Sequence, residues 1–400
     1  MRVLIIGAGG VGSAVVKTIN KWGLFEHVVI ADYDLAKAQR AIAGYDARFV
    51  AHQLNASDIE AIEHLIEAEK VTAVLNVLDP RFVMNIYRAC LRAGVTYLDT
   101  AMSLSKPHPE HPMTMPGLKL GDEQFALADE WAARGQMALV GMGIEPGMSD
   151  VFARYAADEL FSSIDEIGVR DGSNMAIRGY DFAPTFSIWT TIEECLNPPI
   201  IFERDRGWYT TEPFSEPEVF HFPGGIGDVE CVNVEHEEVL LIPRWIDAGR
   251  VTFKFGLDAQ FLNVLRTLHT IGLDRVEPIT VGGVQVSPRD VVAACLPDPA
   301  QLGDRIEGAT CAGTWVKGTG KDGQPREVYL YHVVDNEWSM REFGAQAVVW
   351  QTALNPVVAL ELIDAGIWQA EGVVGPEALP PKPFLDLVNA HGAPWGHDER

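Results

Sequence analysis

The sequence predicts two α/β domains: first a doubly wound parallel sheet, then an α+β domain built on a mixed or antiparallel sheet. Three observations predict this. The chain opens on a short apolar run, Val3-Leu4-Ile5-Ile6, that passes through a glycine turn into a helical pattern. As far as Val140, apolar strand-like runs alternate with helical segments, the mark of βαβ units. From about residue 162 the texture shifts to alternating strands and longer loops. With 400 residues, more than one core ordinarily sustains, the boundaries fall at 1–148, completed by 345–400, and 149–344.

Composition narrows the function. The chain is 47% hydrophobic and 22% charged, as a globular protein should be. A net charge of −25 repels nucleic acid and anionic membrane surfaces, so neither is an expected partner. Cys90, Cys195, Cys231, Cys295 and Cys311 form no C-x-x-C pair and no metal-ligand spacing, so no metal is expected. Scattered thiols, no targeting segment before the first strand and no apolar run long enough for a bilayer together predict a cytoplasmic protein.

The first element carries the strongest signal. Gly7-Ala8-Gly9-Gly10-Val11-Gly12 follows the strand and opens a helix, the order a dinucleotide-binding (Rossmann) turn requires. Gly7 permits the tight turn, Gly9 lets the backbone approach a pyrophosphate, and Gly12 lets helix and strand lie close. Gly10 and Val11 bring the helix N-terminus toward the phosphates. The second strand, Val28 to Ala31, ends in Asp32, twenty positions beyond Gly12 and placed for the adenosine ribose hydroxyls.

Leu35 to Ala43 then reads as a helix and Phe49-Val50 as the head of a third strand leading to Asn55, which is placed beside the adenine or near a helix cap at Ser57-Asp58. Ile59 to Glu69 is helical. The fourth strand, Val71 to Leu78, leaves Val77, Leu78 and Asp79 at the ligand-binding edge. A helix ends at Gly94, and Thr96 to Thr100 is the fifth strand. The Pro- and His-rich stretch Ser103 to Lys119 reads as a loop or lid, because His108 and His111 lack further ligands. Asp122 to Arg134 is a helix, Met137 to Gly141 a strand, and Gly143 to Met148 the turn at the domain crossover. In the second domain Ile164 to Arg170, Glu238 to Ile242, Val251 to Phe255, Thr310 to Lys317 and Glu327 to Val334 read as strands. Phe261 to Ile271 and Pro288 to Ala294 read as helices, as do Ala345 to Ala353 and Pro356 to Ala365, with a hairpin turn at Gly318 to Gly323.

A nicotinamide enzyme must add to its cofactor a proton donor or acceptor and groups that fix the substrate's charge. Tyr97, Asp99 and Thr100 end one strand and Glu145 follows the next, both on the nicotinamide side of such a sheet. His236, flanked by Glu235, Glu237 and Glu238, is predicted to keep a raised, near-neutral pKa and to trade protons. Phe186 to Glu194 combines Trp189, Thr190, Thr191, Glu193 and Glu194, a mixture of ring face and acids suited to a cationic amine; alternatively it is a helix start capped by Thr190 or Thr191. Arg170, Arg244, Lys254 and Arg341 are candidates for a substrate carboxylate, Arg244 foremost because Pro243 suggests a strand end.

The glycine turn, Tyr97-Leu98-Asp99-Thr100 and Gly143-Ile144-Glu145-Pro146-Gly147 together resemble the saccharopine dehydrogenase family. Val234 to Glu238, Leu296-Pro297-Asp298-Pro299, Tyr331 to Asp335 and Arg341-Glu342 are similar to its bacterial branch that includes carboxynorspermidine dehydrogenase. The resemblance implies a discontinuous Rossmann domain, a homodimer, and oxidation or reductive formation of a secondary amine at a C–N bond. By position and chemistry, Tyr97, Asp99, Glu145 and His236 are the candidates for handling protons. Thr100, Trp189, Thr190, Glu193 and Arg244 would hold the substrate. Alternative activities are those of carboxynorspermidine dehydrogenase or a lysine side-chain amine dehydrogenase, and the alternative of another class is NAD binding without turnover. Asp32 and Asp34 would repel a 2′-phosphate, so the expected cofactor is NAD rather than NADP.

Overall fold

The computed structural model describes all 400 residues. Six strands open the chain in parallel: β1 (Arg2–Ile6), β2 (His27–Asp32), β3 (Phe49–Gln53), β4 (Ala73–Asn76), β5 (Thr96–Asp99) and β6 (Met137–Leu139). Their order is β6-β5-β4-β1-β2-β3, and a seventh strand, Gly372–Val374, joins beside β6. Val3 to Ile6 and Val28 to Ala31 are almost wholly buried, as strands covered on both faces must be. Because every strand is parallel, Ile6, Asp32, Asn76, Asp99 and Leu139 end along one edge, and β1 reverses the strand order there.

The second sheet has nine strands. Its spine runs Gly207–Thr210, Ile200–Glu203, Ala248–Gly256, Phe161–Ser173, Ala309–Gly320, Pro325–Asp335 and Gly396–Glu399, with the hairpin Glu218–Phe222/Gly227–Asn233 attached to Ala248–Gly256. Ala248–Gly256 and Phe161–Ser173 are parallel and the other pairs antiparallel, a mixed sheet. The chain therefore returns twice near its end, once to each sheet. Trp395 helps fix the second return, its ring lying 5.8 Å from Phe152 and 5.4 Å from Tyr155.

Several elements differ from the sequence reading. Glu238 to Ile242 is the start of a helix, Glu238–Trp245, not a strand. Its apolar run has no polar alternation because it is buried all round, so periodicity alone could not separate strand from helix. Pro243 consequently lies in the last turn of that helix. Ala347–Asp364 is one helix running through Pro356, with buried residues on every face rather than a single stripe. Asp122–Phe125 and Ala128–Ala133 are two short helices, and the strand Ala309–Gly320 extends into the expected hairpin turn.

Candidate active site

The glycine turn keeps the backbone bare of side chains in front of helix α1 (Gly10–Trp22). Gly7 has φ +115°, and a Cβ on Gly12 would lie 1.8 Å from the Gly7 carbonyl oxygen, so neither tolerates a side chain. A Cβ on Gly9 would meet nothing within 4 Å; this is the open side. Gly10 faces Ala300 and Val349, whose side chains would lie 3.3 and 3.4 Å from a Cβ there, and Val11 is partly buried in the first turn of α1. No side chain caps α1 and no acid stands in its first turn, so its N–H groups remain available to an anion. Asp32 ends β2 with Oδ2 accepting from Ala8 N at 2.8 Å and Oδ1 from Asp34 N at 2.9 Å. Each oxygen keeps a lone pair for a ribose hydroxyl. These residues fit a nicotinamide dinucleotide.

The other cofactor candidates divide. Val77 and Leu78 form the floor below Gly7, with Leu78 Cδ2 2.9 Å from where its Cβ would be. Asn55 lies exposed, accepting from Ser57 N at 3.1 Å, and Asp58 is the residue that caps the next helix. The carboxylate of Asp79 is occupied by Arg81, which it holds at 2.8 and 3.1 Å. Arg81 in turn lies over one ring of Trp189, 4.4 Å from its centroid.

Tyr97 and Asp99, expected to handle protons, are sealed inside the first domain. Both are 0% exposed. Asp99 accepts from the Tyr97 hydroxyl at 2.8 Å, Gln124 Nε2 at 2.7 Å and Gly141 N at 2.7 Å. Asn76 Nδ2 donates to the Tyr97 hydroxyl at 3.3 Å, so the network ties together the ends of β4, β5 and β6. Burial raises the Asp99 carboxyl to about 7, while its three donors restrain the rise. Two residues apart on one strand, Tyr97 and Asp99 share a face, and Tyr87 and Trp131 pack around the tyrosine there. Thr100, next in the chain, is half-buried with its carbonyl beside Gly143.

Glu145 and His236 belong to one acidic cluster between the two sheets, joined through Asp171 and Glu238. Glu145 Oε1 accepts from Gly313 N at 3.2 Å, and its carboxyl is within hydrogen-bond reach of Asp171. His236 stacks flat on Phe253 at 3.8 Å and its Nδ1 is 2.5 Å from Glu238 Oε2 and 3.5 Å from Glu237. Ser149 Oγ donates to the other Glu238 oxygen at 2.9 Å. Glu235 accepts from Ser105 Oγ at 2.8 Å and Asn197 Nδ2 at 2.9 Å, and Glu237 accepts from Met102 N at 3.1 Å, so first-domain groups hold second-domain acids.

Burial, with repulsion between neighbouring acids, raises Glu145, Asp171, Glu194, Glu235 and Glu237. Asp171 and Glu235 reach about 7 and Glu194 about 8, in each case mainly through burial, and Glu145 rises well above the usual carboxyl range. His236 goes the other way from an isolated buried imidazole: burial would lower it, but Glu238, Glu237 and Glu194 raise it to about 10. This corrects the expected near-neutral histidine. His236 is a fixed cation at neutral pH, and its Nδ1 proton bonded to Glu238 leaves no lone pair there for a metal, although the three side chains converge within 4.8 Å.

The remaining substrate candidates are rearranged. Ser187, not Thr190 or Thr191, caps the helix Ile188–Leu196, and Thr190 is half-buried in its first turn. Trp189 is packed between two guanidiniums, Arg81 and Arg289, rather than presenting a free ring. Glu193 pairs with Arg289 and accepts from Asn197 Nδ2, whereas its neighbour Glu194 feels His236. Arg244 sits exposed on the last turn of its helix, 3.7 Å over the Phe125 ring, because the strand end inferred from Pro243 does not exist. Arg170 and Lys254 are held by Glu218, and Arg341 by Glu342.

Asp171 was missed in the sequence. Its signal was there: it follows buried Ile167 and Val169 at alternate positions of one strand, a carboxylate on an inward face.

Residues 3–139 match the family model described as the saccharopine dehydrogenase NADP binding domain, and residues 143–393 match the saccharopine dehydrogenase C-terminal domain. The chain belongs to the saccharopine dehydrogenase family. As a member, it is an NAD(P)-dependent dehydrogenase acting at a carbon–nitrogen bond. Carboxynorspermidine synthase of Vibrio cholerae is 32% identical over 406 aligned positions, covering 99% of this chain and 96% of the relative. Carboxyaminopropylagmatine dehydrogenase of Synechocystis sp. is 29% identical, covering 98% and 96%. Among solved structures, apo saccharopine dehydrogenase (L-Glu forming) of Saccharomyces cerevisiae shares the fold with a TM-score of 0.71 at 15% identity, covering 100% of this chain and 99% of that one. The homospermidine synthase of Legionella pneumophila, solved in complex with NAD, gives 0.67 at 15% identity, covering 100% and 91%.

Proposed function

We propose that this dehydrogenase makes or oxidises a carboxylated polyamine, a secondary amine joined from a cationic diamine and an amino-acid-type carbonyl compound. The excess of acid in the cleft carries the reading. Six carboxyls (Glu145, Asp171, Glu194, Glu235, Glu237 and Glu238) gather in one cluster, four of them (Asp171, Glu194, Glu237 and Glu238) acting on the imidazolium of His236, and their only cationic partner within salt-bridge distance is His236. Such a cluster keeps protons until a cation replaces them. A diamine supplies two positive charges at the spacing of a flexible chain. The two curated relatives carry names of carboxy-substituted polyamines, which agrees with this chemistry.

The bound nicotinamide supplies or accepts the hydride. The chain's own residues do the rest. In the forming direction the free amine adds to the carbonyl carbon, and the resulting hydroxyl leaves as water once it gains a proton. Glu145 and Asp171, two facing carboxyls that share a proton at the partly exposed end of the cluster, are the donor, and they take a proton back in the oxidative direction. Glu194, Glu237 and Glu238 stabilise the iminium charge between those events. Tyr97 and Asp99 brace the sheet edge beneath. NAD is the preferred cofactor in this reading, because Asp32 leaves no place for a third phosphate.

Initial rates with carboxynorspermidine, saccharopine and lysine, each offered with NAD and with NADP, test the proposal. A carboxylated polyamine should be oxidised at least tenfold more efficiently than either alternative; faster turnover of saccharopine or lysine would overturn it.

A further inference from the structure

Behind Glu238 lies a second pair of carboxyls that the reaction above does not use. Asp150, in the helix Met148–Tyr155, and Glu377, just after the strand Gly372–Val374, are both 0% exposed. Their carboxyls are within hydrogen-bond reach of each other, and neither has a salt-bridge partner. Asp150 Oδ2 accepts from Gly147 N at 2.7 Å, but Asp150 Oδ1 and both Glu377 oxygens receive no N–H or O–H from any other group. The site is shaped for this contact. Gly375 has no side chain, and a Cβ there would stand 2.4 Å from Glu377 Oε2. Trp245 and Leu241 pack against the same glycine, 3.0 and 3.3 Å from that Cβ position.

We propose that Asp150 and Glu377 hold one proton between them and act as a positioning pair for Glu238, and through it for His236. Two bare carboxylates cannot face each other in such surroundings, so a proton bridges them and the pair carries one charge. The link to the cleft is covalent and short. Asp150 adjoins Ser149, whose hydroxyl holds Glu238, and the same turn begins at Glu145. The charged groups facing the pair are Glu238 and Arg244, both from the helix Glu238–Trp245. Loss of the bridging proton places a second negative charge behind Glu238. That charge pushes Glu238 away from Ser149 and weakens the hold on the His236 ring, so turnover falls on the alkaline side.

The kinetic test rests on the dehydrogenase reading above, and a spectroscopic one does not. In Glu377→Gln the amide donates permanently to Asp150 and reproduces the single charge; in Glu377→Ala the bridge is gone. Glu377→Gln should keep kcat at pH 7 within threefold of the parent and lose less of it at alkaline pH. Glu377→Ala should lose kcat at least 30-fold while the KM for the cofactor stays within threefold. Infrared spectra at pH 7 should show one protonated-carboxyl band fewer in Glu377→Gln, whether or not any amine is turned over. A Gln variant as damaged as the Ala variant, or an unchanged set of carboxyl bands, would overturn the proposal.

Discussion

His236 shows how strongly a single residue's chemistry depends on its surroundings. In sequence it is a histidine among acids; in space it is the one cation among six carboxyls, stacked on Phe253 and raised to about 10. Removing it strands negative charge, a loss of up to about 3–5 kcal/mol before the acids recover part of it by taking protons. His236→Ala is therefore expected to lower the melting temperature as well as kcat, and thermal unfolding at pH 8 checks it; an unchanged melting point would show that the acids do not lean on this charge. Asp32→Ala belongs to the same scale. It should lower the ratio of kcat/KM with NAD to that with NADP at least tenfold, and an unchanged ratio would place ribose recognition elsewhere. Positions set by local geometry were legible: Gly7, Gly9 and Gly12 shape one strand–turn–helix unit, and Asp32 ends the strand that follows it. Asp171 and Glu377 were not, because their partners lie 26 and 227 positions away, at Glu145 and Asp150 (171 − 145 and 377 − 150). Nor could sequence separate Glu193 from Glu194, adjacent on a helix yet turned about 100° apart.

Among the elements, the glycine turn is the least tolerant of change. Gly12→Ala puts a methyl group 1.8 Å from the Gly7 oxygen, and since backbone cannot yield cheaply, α1 must move off β1. Expected are loss of measurable cofactor binding in a fluorescence titration and a lower melting temperature; retained affinity would mean the cradle lies elsewhere. The parallel strands were readable because they are short, apolar and bounded by turns. The helix Glu238–Trp245 was misread because a fully buried run shows no period, and with it fell the role inferred for Arg244. Tyr97 and Asp99 were rightly placed at a strand's carboxyl end, yet which face they took was decided by Gln124 and Trp131, far along the chain.

At the scale of the molecule, the two domains are joined by buried hydrogen bonds: Met102 and Ser105 of the first domain hold Glu237 and Glu235 of the second. The raised carboxyls give the protein a characteristic pH dependence. Asp99, Asp171, Glu235 and Glu377 at about 7 and Glu194 at about 8 keep their protons longer when folded than when unfolded. The folded chain thus binds more protons between about pH 4 and 8, and stability falls as pH rises through that window. His236 adds stability that is present below about 6.5 and lost as pH rises through about 10. Glu218, lowered by Arg170 and Lys254 despite its burial, opposes this only in acid. Without substrate, the melting temperature should be a few degrees higher at pH 6 than at pH 8.5; the reverse slope would mean the acids are not buried as described.

The most direct measurement is the proton balance when an amine enters the cleft. Calorimetric titration of a diamine into the cofactor-loaded protein at pH 7, repeated in buffers of different ionisation enthalpy, counts protons exchanged per amine bound. A cleft of proton-holding carboxyls should release at least one proton, with affinity rising as pH rises toward 8. Binding without proton release, or affinity that weakens over the same range, would contradict the account.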